Sequence, residues 1–207
     1  MLGVSGTNLQ IQVGQGTMGL ALASIKEVRM AVPPEVAQAI KAFQERDYKK
    51  VQVLLKSLEK WKGLPPEWAQ GVTAMFGDVQ AELGDMVKAE AAYKEFQRLY
   101  PSAQGSAQAE VGMARLAVGR KEFATAKAKL DPVATKALGE KNFNRELGRA
   151  YSQTFYLLGQ IAESEGKNEE ALEHYLRTVT LFYHDAPTVA LAQEKADALR
   201  AQKVTVP

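Results

Sequence analysis

Gly14, Gly16 and Gly19, in "QVGQGTMG", follow a strand-like run with the spacing that lets a backbone turn cradle a dinucleotide pyrophosphate. That chemistry needs a strand buried on both faces before the turn, a helix after it, and an acid about twenty residues further on. Here Gln10 and Gln12 alternate with Leu9, Ile11 and Val13, the period of a strand with one buried face. Glu35 stands at a suitable distance, but it follows Pro33-Pro34 and opens a helical stretch, and no strand–helix alternation comes after it. The expected structure is therefore a turn between antiparallel strands, where glycine supplies positive φ. No nicotinamide cofactor is expected.

Other reactive sets fail on residue type or geometry. His174 and His184 are the only histidines, too few for a histidine-rich metal site. His174 reads as a solvated helix position, and His184, in "FYHDAP", as a cation at a helix end. The acidic pairs Glu163/Glu165 and Glu169/Glu170 are too close in sequence to converge from a helix onto one substrate. The absence of cysteine excludes disulfides, thiol nucleophiles and thiolate metal sites. No catalytic residue, metal or cofactor is expected, and the chain is read as no enzyme.

The elements that would carry any site follow from composition and pattern. Apolar residues make up 46% and charged residues 24% of 207 residues, a balance typical of a chain with a packed core. A net charge of +2 argues against a strongly electropositive nucleic-acid binder. The locally basic "KEVR", "RDYKK" and "KSLEKWK" include Tyr48 and Trp61, but both aromatics suit packing roles better than a stacking platform. No apolar run is long enough to span a bilayer, and the N-terminus lacks the basic flank and apolar core of a signal peptide.

Residues 1–32 read as a small antiparallel β element, with weak resemblance to part of an SH3-like or Sm-like module whose first strand would lie upstream. Residues 33–186 read as helical throughout, and the pattern recurs. Aligned on Val51, Ala89, Ala126 and Ala171, a small residue lies twelve positions earlier (Ala39, Gly77, Ala114, Gly159). A bulky one lies four later (Leu55, Tyr93, Leu130, Tyr175), and a turn cue precedes each anchor. The small residue should let paired helices approach, with the bulky one packing toward the next pair. Approximate units are 34–64, 66–102, 105–137 and 145–184, with 187–207 as a capping helix and tail. Trp61 and Trp68 are expected to clamp the longer loop "WKGLPPEW".

This pattern resembles the tetratricopeptide repeat, most clearly in "FGDVQAELGDMVKAEAAYKEFQRLYP" and "LGQIAESEGKNEEALEHYLRTVTLFY". The anchors lie 38, 37 and 45 residues apart, more than the usual spacing of about 34, with the excess in "KGLPPEW", "PSAQGSAQ" and 131–150. The resemblance implies a mainly α, helical-hairpin solenoid of about four pairs plus a cap, with the small β element ahead of it. It also implies a protein–protein scaffold whose groove is lined by the first helix of each pair. Carried onto this chain, the partner-binding positions are Phe43, Asp78, Arg115, Tyr156, Gln160 and Glu163, with Ile40, Ala81, Val111 and Val118 beside them. They are not the lysine- and asparagine-rich set that clamps a peptide carboxylate.

A softer resemblance of the second and fourth units to bacterial envelope adaptors implies the periplasm, with the cytoplasm as alternative. The partner is a protein rather than nucleic acid on this reading, and self-association through the β edge is a further option. An accessory domain for nucleic acid or a larger enzyme is the competing role.

Overall fold

A computed structural model describes residues 3–25, 28, 30–101 and 106–206. The chain is mainly helical, 69%, with a three-stranded antiparallel sheet at its N-terminus. The strands are β1 (Gly3–Ser5), β2 (Asn8–Val13) and β3 (Gly16–Ala21). The α-helices are α1 (Pro34–Gln44), α2 (Tyr48–Leu58), α3 (Glu67–Glu82), α4 (Met86–Leu99), α5 (Ser106–Gly119), α6 (Phe123–Gly139), α7 (Arg145–Ser164), α8 (Asn168–Thr180) and α9 (Ala186–Ala201). Two compact units, 1–109 and 110–207, divide within α5, a boundary that the sequence pattern does not mark. Most of "KEVR" (all but Val28) and residues 102–105 of the loop "PSAQGSAQ" lie outside the described residues.

The sheet runs β1-β2-β3, each strand paired antiparallel with the next in sequence. Both connections are two residues long and carry positive φ at their first residue, Gly6 (59°) and Gly14 (61°), as a type II′ turn requires. The glycine run thus forms a hairpin turn and the strand after it, not a strand-to-helix junction. Opposed pairs Leu9–Leu20, Ile11–Met18 and Val13–Gly16 share one face. Leu9 is buried, while Val4, Ile11 and Leu22 pack beside it on a core built from α1, α2, α3 and the stretch between α2 and α3. The strands therefore lean on helices of their own unit. The loop after α2 meets them at Gly63, where an added Cβ would contact Val4, Leu22 and Leu99, and whose N–H donates to the Tyr100 hydroxyl at 2.7 Å. Trp61 and Leu64 are buried and Trp68 packs against the same core, the clamp expected of the tryptophans.

One turn recurs at the end of α1, α3, α5 and α7. Its left-handed residue is Arg46 (φ 59°), Gly84 (83°), Lys121 (61°) or Gly166 (76°). The amide after it donates back five residues, Asp47 to Ala42, Asp85 to Gln80, Glu122 to Ala117 and Lys167 to Ala162, each at 2.9 Å. This is the hydrogen-bond pattern that closes a helix through a left-handed residue. Each next helix then starts at once, the amides of Val51, Ala89, Ala126 and Ala171 bonding to the carbonyl four residues back. The four anchors are 0% exposed. The Asp47 and Asp85 carboxylates add a cap by accepting the amides of Lys50 and Lys88.

The small and bulky positions are buried too, but their packing differs from expectation. In α3/α4 and α7/α8 the bulky residue turns onto the small residue of its own helix pair instead of toward the next pair. An added Cβ on Gly77 would lie 2.4 Å from the Tyr93 ring, and one on Gly159 2.5 Å from the Tyr175 ring. The sizes match pair by pair. Glycine opposes tyrosine in α3/α4 and α7/α8, and alanine stands with leucine in the other two (Ala39 and Leu55, Ala114 and Leu130). A ring is larger than a leucine side chain, and removing the facing Cβ compensates.

Where the repeat spacing stretches to 45, the extra residues lengthen helices. α6 has 17 residues and α7 has 20. α9 begins with Pro187 in its first turn, as a cap should, and Val204 and Val206 fold back onto the core it shares with α8. It ends in the same turn, with Lys203 at φ 63° and Val204 donating to Leu199, and Ala196 sits buried at the small position.

Candidate functional site

Tyr156, Gln160 and Glu163 are spaced to share one face of α7, and the structure brings them together. Gln160 Nε2 donates to the Tyr156 hydroxyl at 3.2 Å. Glu163 is the hub of the group. Its Oε2 accepts the Tyr175 hydroxyl of α8 at 2.7 Å, and its Oε1 accepts Lys195 Nζ of α9 at 3.1 Å. The Tyr156 and Tyr175 rings lie 5.9 Å apart at 44°. One carboxylate thus ties three helices together, because the Gly159 gap lets Tyr175 reach α7.

Burial, with the hydrogen bond to Glu163 and its charge, pushes the Tyr175 phenol far above its ordinary range. Burial raises Tyr156 as well, where Lys195 partly offsets Glu163 and Glu194. Both phenols are thereby favoured in the protonated, hydrogen-bonding form. Tyr156 and Gln160 are half-buried, so their edges can still meet a partner. Lys195 and Glu163 keep 42% and 33% of their side chains exposed, so their ion pair is solvent-screened and adds little stability.

The other candidates fall elsewhere. Phe43 is buried in the core of residues 1–109, edge-on to Tyr48 at 5.5 Å. Asp78, also in that unit, is buried and accepts the Tyr93 hydroxyl at 2.7 Å and Gln108 Nε2 at 2.5 Å. These contacts give both residues structural work. Arg115 is half-buried on α5. Ile40 is exposed on α1.

Both histidines depart from expectation. His174 keeps only 14% of its side chain exposed and lies against Phe155, ring centres 6.0 Å apart. Burial, then the Arg177 charge, lowers its pKa. His184 sits beyond the end of α8 and packs onto Gly148 of α7, where an added Cβ would come within 2.6 Å of its ring. It belongs to an aromatic cluster with Phe143, Tyr151, Phe155 and Phe182, where Phe155 and Phe182 stack at 4.8 Å. Tyr151 donates to the Glu140 carboxylate there, and Ser152 Oγ to the Phe182 carbonyl. Sequence reasoning missed this cluster and Lys195. The aromatics of "FYHDAP" with Gly148 were its trace in the sequence.

In "RDYKK" and "KSLEKWK" the two aromatics have packing partners, and "KEVR" lies mostly outside the described residues. Tyr48 packs on Phe43, and Trp61 is 9% exposed. Among the described residues no helix is long and apolar enough to cross a membrane, and no three His, Asp or Glu side chains converge as metal ligands. No protein-family model and no curated protein sequence matches the chain.

Proposed function

We propose that this chain is a non-catalytic adaptor of tetratricopeptide type that holds a protein partner on the surface around Tyr156, Gln160, Glu163 and Lys195. The observation that carries this reading is the recurring helix-pair turn with its buried anchor, which makes a rigid support for a half-exposed row of hydrogen-bonding groups. Such a surface offers a peptide both donors and acceptors, with aromatic edges for its apolar parts. The likeness of "FQRLYP" and "TVTLFYHDAP" to envelope adaptors supports an assembly in a bacterial envelope as its setting.

The test places a photo-crosslinking benzoylphenylalanine at Gln160, or at exposed Glu173 on α8, in the producing cell. A discrete protein adduct at position 160 that is missing at 173 supports the proposal. Equal adducts at both positions, none at either, or cross-linked nucleic acid in place of protein would overturn it.

A further inference from the structure

The sheet ends at the outer edge of β3. The Leu22 amide donates to the Thr7 carbonyl, which sets the alternation along β2 and β3. Gly16, Met18 and Leu20 then direct their backbone groups at β2, and Thr17, Gly19 and Ala21 direct theirs outward. Among the described residues no backbone group pairs with that edge. Ser24 Oγ donates to the Ala21 carbonyl at 2.7 Å, which leaves that oxygen a second lone pair.

The edge lacks the usual guards. No charged side chain, proline or bulge interrupts β3, and no residue from 1 to 25 carries a charged side chain. The apolar face also runs past the core beneath it. Leu9 is buried at its base, but Met18 is 45% and Val13 55% exposed at the tip.

We propose that β3 pairs antiparallel with β3 of a second copy of this chain, about a twofold axis at Gly19. The occupant follows from self-complementarity. In this register Thr17 faces Ala21 of the other copy, Gly19 faces Gly19, and all three outward-bonding residues are satisfied in each chain. Shifting by two residues in either direction leaves one of the three without an opposite number. The same register sets Met18 across from Leu20 of the other copy as a close, non-hydrogen-bonded pair. The exposed methionine is covered, and one apolar face continues across six strands. Opposite a charged strand from another protein, β3 has no charge to answer with. The contact is independent of the adaptor surface on α7 and α9. A six-residue pairing buries less than the ~1,200 Å² of stable interfaces, so the dimer dissociates on dilution.

The chain has no cysteine, so single-cysteine variants read the register directly. Residues 19 and 19 of the two copies lie about 5.5 Å apart as a hydrogen-bonded pair, whereas residues 17 and 17 are about 14 Å apart along the strands. With a short bifunctional maleimide, Gly19→Cys cross-links to itself, and Thr17→Cys cross-links to Ala21→Cys but not to itself. Sedimentation of the unmodified chain shows a concentration-dependent dimer. Gly19→Pro, which removes an outward donor and none of the β2–β3 hydrogen-bonding groups, weakens it at least about tenfold with the helical spectrum unchanged. A monomer at every concentration overturns the proposal. So does a dimer indifferent to Gly19→Pro, or self-linking of Thr17→Cys that matches its linking to Ala21→Cys.

Discussion

Replacing Gly159 with alanine sets two effects of opposite sign against each other. In an ordinary helix interior the change stabilises by about 1 kcal/mol, because alanine is the better helix former. In α7 the new Cβ would lie 2.5, 2.6 and 3.0 Å from three carbons of the Tyr175 ring. Relaxed carbon contacts start near 3.5 Å, so the ring must withdraw by about 1 Å. It has no free space, being 0% exposed, and its hydroxyl is held by Glu163 at 2.7 Å. Overpacking of this kind costs roughly 1–3 kcal/mol, and a lost hydrogen bond to a carboxylate about 1.5–3 kcal/mol more. With the helix gain subtracted and the bond kept, Gly159→Ala should destabilise by about 0–2 kcal/mol, and by more if the bond is lost.

Urea titration followed by far-UV circular dichroism measures this as a lower midpoint at unchanged slope. The informative comparison is the Tyr175→Leu background. It recreates the alanine–leucine combination that α1/α2 and α5/α6 already use. There the added methyl should be neutral or stabilising, giving a coupling of about 1–3 kcal/mol in the double-mutant cycle. If Gly159→Ala stabilises both backgrounds equally, the size-matching argument is wrong.

Three further outcomes follow. Arg46→Gly and Lys121→Gly relieve left-handed backbone at positions where α3 and α7 already end in glycine, so each should raise the urea midpoint, by about 0.5–1 kcal/mol; a fall contradicts the turn assignment. Asn144→Ala removes the side chain that accepts the Leu147 amide at 2.9 Å at the start of α7 and should cost about 1 kcal/mol, with Asn144→Asp retaining most of it. His174 has a folded pKa held below its ordinary 6.5, so the unfolded chain binds the proton more readily. The stability it contributes is present above that value and is lost as pH falls through it toward the lower folded value. Urea midpoints taken from about pH 7 to about pH 5 should decline in the parent and decline less in His174→Gln.

The turns were readable from sequence because their chemistry is local. Gly84-Asp85 spells a left-handed residue followed by a cap, and Val51 and Ala89 fall at a fixed distance beyond such turns. The strands were readable because Gln10 and Gln12 interrupt an apolar alternation, and that context turned a cofactor-like glycine run into a hairpin. The direction of the bulky side chains was not readable. Tyr175 sits one turn after its anchor whichever helix it faces, and only the short distance to Gly159 assigns it. His174 was misplaced for a related reason. α8 packs on both α7 and α9, so a position beside the anchor face still meets a neighbour. Glu163 was legible as a surface residue of α7, but its link to Lys195 spans 32 residues and carries no local signature. Phe43 and Asp78 share the alignment positions of the half-buried Glu163 and Gln160, and their deeper burial comes from packing within their own unit.

The adaptor reading depends on one helix-pair turn being built four times, and amide hydrogen exchange tests that most directly. The amides of Asp47, Asp85, Glu122 and Lys167 each close a turn by bonding five residues back. The account predicts that all four are protected, with backbone chemical shifts placing residues 46, 84, 121 and 166 in the left-handed region. Fast exchange at any one of them, with ordinary helical shifts continuing through that position, would contradict it.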